Sequence, residues 1–213
     1  MQFDNLIDEL ASDVPALPRS AMTQRLAIGT GVGAVIALGL LLAFLGVRPD
    51  FVEASATMAF WMKWAFTVSL AWAAFALLKR LGQPDEGGGA IWWALAAPIA
   101  LVVMMGAGEL ILVAPSSRAT VWLGHSAARC LVTILLLSAP VFLGLVWSFR
   151  RLAPTRLHLA GFAVGMLSGA TSATVYALSC SEGTPAFLAT WYVLGILAAG
   201  MIGAVAGPRL LRW

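Results

Sequence analysis

The chain has 213 residues, 61% of them hydrophobic and 11% charged, with a mean hydropathy of +0.90. A soluble domain carries about 25% charged residues, so this chain lacks the polar surface needed to face water on all sides. The apolar residues run continuously, without the period-2 alternation of a membrane barrel, and the fold class implied is an all-α membrane protein. The formal net charge of +3 comes with no basic patch interleaved with aromatics, so no direct contact with nucleic acid is expected. Walker, HExxH and GxSxG signatures are all missing, and the chain does not read as an enzyme.

The first 25 residues form the only sizeable polar piece. Phe3, Leu6, Ile7 and Leu10 fall at i, i+3, i+4 and i+7, one stripe of a helix flanked by Asp4, Asp8 and Glu9. Pro15 and Pro18 stop that helix. Helices that lie on an anionic leaflet usually carry Lys and Arg, whereas this one is acidic, so the stripe reads as a partner-binding helix that folds on a cytosolic protein with a basic or apolar groove. A solvated tail and a membrane-surface helix are the other readings. Acidic residues where a secretory signal has a basic region mark the following span as an uncleaved signal anchor.

A helix needs about 20 apolar residues to cross the hydrocarbon core. Six stretches qualify: 26–47, 56–78, 91–113, 127–149, 157–178 and 187–206. They predict a bundle of six transmembrane helices over 26–213, joined by short connections. With the N-terminus in the cytoplasm, the inner segments hold Arg19, Arg25, Lys79, Arg80, Arg150, Arg151, Arg156, Arg209 and Arg212, and the outer loops hold only Arg48 and Arg118. That bias puts both termini in the cytoplasm. Trp92, Trp93 and Trp147 then mark the inner boundary, and Trp61, Trp64, Trp122 and Trp191 the outer one.

Cys130 lies 19 residues before Phe149, and Cys180 lies 22 residues after His158. At ~1.5 Å per residue both sit about 30 Å above the turn between the fourth and fifth helices, facing outward at similar height. If those helices pack as an antiparallel pair, a disulfide is within reach; two small residues buried in a core are the equal alternative. His125 could add a ligand to a metal held by Cys130 and Cys180. Lys63, Glu109 and Arg129 gather in the same outer third as an intramembrane charge cluster. Each such charge costs about 2.5–3.5 kcal/mol on insertion scales, so an ion pair of Glu109 with Arg129 or Lys63 is expected. Gly161, Gly165 and Gly169, with Gly29 and Gly33 and with Gly203 and Gly207, suit close helix packing, and a homodimer through these ridges stays open.

Several strings occur together in a fixed order: LIDELASDVPALPR (6–19), RLAIGTGVG (25–33), GHSAARC (124–130), RRLAPTR (150–156), YALSC followed by SEGTPAF (176–187), WY (191–192) and the closing GPRLLRW (207–213). On these the chain resembles, over essentially its whole length, the NrsF-type family of bacterial inner-membrane anti-sigma factors. The resemblance implies an ECF-type sigma factor as partner, held at the lipid bilayer and away from RNA polymerase. It also implies two cysteines, matched here by Cys130 and Cys180, that sense metal or oxidative stress. Phe3, Asp4, Leu6, Ile7, Asp8, Glu9 and Leu10 would then contact the sigma factor, with Arg150, Arg151 and Arg156 as helpers. No cofactor is required beyond a transient heavy-metal ion at the thiols. A membrane thiol-redox protein and a small-solute or ion transporter remain as alternatives.

Overall fold

The structure is a computed structural model and describes residues 19–82, 89–150 and 156–211. Among the described residues it is all-helical: α1 (Arg19–Phe44), α2 (Phe51–Ser55), α3 (Met58–Leu81), α4 (Gly89–Leu112), α5 (Arg118–Leu123), α6 (Ala127–Phe149), α7 (Leu157–Tyr176), α8 (Pro185–Phe187) and α9 (Val193–Leu210). A 3₁₀ turn (Pro115–Ser117) precedes α5, and a π-helical turn (Leu188–Tyr192) joins α8 to α9. Six of these stretches are long and apolar enough to cross a membrane: α1, α3, α4, the 115–149 stretch ending in α6, α7, and the continuous 185–210 stretch.

The boundaries follow local chemistry. α1 starts at Arg19, seven residues before the apolar run, and carries Gln24 and Arg25 exposed just ahead of that run. It ends where the Leu45 and Gly46 N–H groups both donate to the Leu41 carbonyl, at 2.8 and 2.9 Å. Gly46 takes φ +71°, the left-handed conformation that a helix stop favours. Thr57 caps α3 by accepting from the Phe60 N–H, and Lys79 and Arg80 occupy its last turn, where cations suit the helix dipole. Thr184 caps α8 in the same way, with Pro185 at the first helical position.

α7 is the axis of the bundle. Of its apolar window 72% is buried, against 17% for α4 at the periphery. It packs on α9, α3 and α6, and most extensively on α9. That contact is made backbone to backbone: a Cβ on Gly161 would run into the Gly203 carbonyl oxygen, and one on Gly165 into the Ala199 carbonyl oxygen. α1 meets α6 similarly, where a Cβ on Gly29 would lie 2.7 Å from the Gly144 oxygen. The ridges at Gly29 and Gly33, Gly161 and Gly165, and Gly203 and Gly207 are therefore spent inside the chain. Around this core Val35, Trp72, Trp93, Ile111, Leu112, Leu136 and Val205 are exposed, an apolar exterior that suits lipid.

Helix direction alternates along the chain. Met22 at the start of α1 lies against Gly82 after α3, and Leu157 at the start of α7 against Gly207 in α9. The connections 45–57, 113–126 and 177–184 gather at the other end, which holds Cys130 and Cys180 and is called the cysteine end below.

Candidate functional site

The segment between α7 and α8, 177–184, is held by bonds from the other connections of the cysteine end. The Arg48 N–H donates to the Leu178 carbonyl at 3.2 Å. The Cys180 carbonyl accepts from Lys63 Nζ at 3.1 Å and from Arg48 Nη1 at 3.4 Å. Lys63 Nζ also donates to the Glu182 carbonyl. The Glu182 carboxylate in turn accepts from the His125 N–H at 2.8 Å and from the Ser126 hydroxyl at 3.4 Å. Thr184 Oγ1 donates to the Val121 carbonyl at 3.1 Å. The cysteine-bearing segment is thus tied to the α1–α2 connection, to α3, to α5 and to the connection that follows α5.

Lys63 is the centre of this arrangement. Its side chain is 2% exposed, so its ammonium needs fixed partners. Besides the two carbonyls it has the Tyr192 ring, whose centroid lies 5.6 Å from Nζ. Tyr192 is fully buried on the π-helical turn and lies 6.1 Å, ring to ring, from Tyr176 at the end of α7. Both tyrosines lie close to Cys130 and Cys180. The two cysteines are free and buried, in one cluster with Lys63.

The expected ion pair is not formed. Among the described residues Glu109 pairs with neither Lys63 nor Arg129; its Oε2 accepts from the Ala186 N–H at 2.9 Å. Glu109 therefore caps the start of the last span, where the positive end of the helix dipole and a free N–H replace a cation. Lys63 is satisfied by carbonyl dipoles instead. Arg129 is exposed and makes no hydrogen bond or ion pair with a described residue. His125 is exposed too, and its backbone N–H, not its ring, carries its contact. Among the described residues no three His, Cys, Asp or Glu side chains converge to hold a metal, so Cys130, Cys180 and His125 do not form a three-ligand cage.

Composition and spacing missed Arg48, Glu182, Tyr176 and Tyr192. Arg48 reads in sequence as one outer-loop charge, yet it holds Asp50 through Nε at 2.7 Å and Nη2 at 2.6 Å while its backbone and Nη1 bind the 177–184 segment. That pairing raises the guanidinium pKa and lowers that of the Asp50 carboxyl. A sequence signal for Glu182 existed in the Ser-Glu-Gly-Thr-Pro run, which combines a helix cap with a loop carboxylate. Phe3, Asp4, Leu6, Ile7, Asp8, Glu9 and Leu10, as well as Arg151, lie outside the described residues.

The arrangement brings two buried thiols, the buried Lys63 side chain and a loop tied by hydrogen bonds together at one end of the bundle. Residues 10–213 match the family described as negative regulator of sigma F. The chain is 40% identical, over the full length of both, to the anti-sigma-F factor NrsF of Caulobacter vibrioides. It is 37% identical, again over the full length of both, to the probable anti-sigma-F factor NrsF of Azospira oryzae. No solved structure matches it.

Proposed function

The chain belongs to the NrsF family of negative regulators of sigma F, and from that premise we propose that it is an anti-sigma factor of the bacterial inner membrane. It sequesters an ECF-type sigma factor through its N-terminal segment and releases it on a metal or oxidative signal at Cys130 and Cys180. The observation that carries the sigma partner is the full-length identity to a protein named as an anti-sigma-F factor. The skew of Lys and Arg supports a cytoplasmic N-terminus and thiols that face the periplasm.

For sensing, the support is the clamp on the cysteine segment. Cys180 is 2% exposed and its own carbonyl is held by Lys63 and Arg48, so attaching an ion or an oxidised sulfur substituent there requires the 177–184 segment to move. A soft thiophilic ion suits two thiolates without a third ligand. Each charged hydrogen bond lost at Lys63 is worth about 1.5–3 kcal/mol, which matches the coupling of about 1–3 kcal/mol that typically links two sites. Movement of the segment passes directly into α7, the helix packed against most of the bundle, and so to the opposite end, from which the N-terminal segment leaves.

A sigma-dependent reporter in the native bacterium tests both halves. Deleting the chain should raise basal transcription, and an unchanged basal level would refute the anti-sigma role. The Cys130→Ser/Cys180→Ser double variant should keep repression and lose induction by thiophilic metal or oxidant. Normal induction in that variant would refute the sensing role alone.

A further inference from the structure

The cysteine end holds a polar cavity of about 490 Å³ between the end of α1, the start of α6 and the segment after α7. Its polar lining is Ser126, Arg129, Thr133, Tyr176, Ser179 and Ser181, with Phe44, Leu45 and Cys180 completing the wall. Among the described residues no carboxylate lines it. Glu182, one residue further on, faces the neighbouring cavity with Arg48 and Lys63 and spends its carboxylate on His125 and Ser126.

We propose that this cavity binds a phosphate-type tetrahedral oxyanion. Three observations carry the assignment. Arg129 lacks a hydrogen bond or ion pair among the described residues, and a guanidinium presents a fork of donors matched to two oxygens of such a group. The hydroxyls of Ser179 and Ser181, and of the buried Thr133, likewise make no hydrogen bond to a described residue, so donors face the cavity without an acceptor. Finally, Arg129 stands in the first turn of α6, whose N-cap Ser126 turns its hydroxyl to Glu182 and makes no side-chain cap bond. A cation there adds to the positive end of the helix dipole, an arrangement that a bound anion relieves. A cation as ligand would meet Arg129 with no carboxylate to offset it, and a neutral solute would leave the guanidinium without a counter-charge.

The oxyanion has two possible sources, a free inorganic anion and the phosphate of an anionic lipid headgroup. Phe44 and Leu45 at the end of a spanning helix would suit the second, where glycerol and chain enter beside the phosphate. The cavity's chemistry is independent of the anti-sigma reading.

The test uses the full chain purified in detergent. Inorganic phosphate is titrated while thermal unfolding is followed, and phosphatidylglycerol and phosphatidylcholine are compared by native mass spectrometry for retention. We expect saturable stabilisation by phosphate, which identifies a free anion, or selective retention of phosphatidylglycerol, which identifies the headgroup. In either case Arg129→Gln should weaken binding about ten- to a hundredfold, the loss of one charge-assisted contact, and Arg129→Lys should weaken it less. Arg118→Gln, outside the cavity, should change nothing. If Arg129→Gln does not yield a monodisperse protein, Ser179→Ala/Ser181→Ala, which keeps the charge, takes its place and should also lower affinity. Binding of neither probe to the wild-type chain, or equal binding to these variants, overturns the proposal.

Discussion

Lys63 shows how one side chain can be read correctly as unusual and wrongly as paired. Its position within an apolar run marks it as costly, and cost suggests a carboxylate partner; the structure supplies two main-chain carbonyls and an aromatic face instead. Carbonyl partners are invisible in a sequence, because every residue has one and only the fold decides which turn inward. Lys63→Met should therefore cost about 3 kcal/mol of stability in detergent and speed alkylation of Cys180, since the segment that buries it loses its main tether. Slow alkylation in a destabilised Lys63→Met protein would show that something other than Lys63 keeps the thiol covered. The Arg48–Asp50 pair makes a smaller, pH-dependent prediction. The folded Asp50 carboxyl has a lowered pKa, so its contribution is present above the ordinary carboxylate range and is lost as pH falls through the folded value. Asp50→Asn should thus lower the unfolding temperature slightly at pH 7 and by less near pH 3. An effect of the same size at both pH values would contradict the pairing.

At the scale of the helices, the six spans were legible because length and hydropathy are properties of a run of residues, and the short helices α2 and α5 were not because five or six residues carry no usable period. The early start of α1 at Arg19 was hidden for a related reason: hydropathy marks the hydrocarbon boundary, not the end of the helix. Gly161, Gly165 and Gly203 were legible as packing positions, and the structure shows which backbone each one meets. Gly165→Ala would drive a methyl into the Ala199 carbonyl oxygen and should cost about 1–3 kcal/mol, whereas Gly31→Ala and Gly39→Ala, with nothing near, should be neutral or stabilise by up to about 1 kcal/mol. Thermal unfolding of the three variants side by side checks this, and equal stability would show that α7 and α9 do not touch through their backbones. The π-helical turn had no sequence signal. It matters because Tyr192, which stands over Lys63, sits on it. Glu109 belongs to this scale as well: Glu109→Ala leaves the Ala186 N–H without its acceptor and should cost about 0.5–2 kcal/mol, with Glu109→Gln losing less.

For the whole molecule, membrane class followed from composition, and the cysteine end followed from counting residues along two adjacent helices. The hub that joins its connections did not, because it is built from contacts between residues 56 to 132 positions apart. The proposal is a transducer with thiols at one end and a partner-binding segment at the other, joined by a glycine-faced axis that leaves little slack between helices. Its central claim is that the N-terminal segment tethers a sigma factor. The direct measurement is co-purification from bacterial membranes, comparing the full chain with a version lacking residues 2–20 that inserts equally well. The account predicts that an ECF-type sigma factor is retained by the full chain and lost on truncation. Retention by both versions would move the binding surface elsewhere on the chain, and retention by neither would contradict the claim that this protein holds a sigma factor at all.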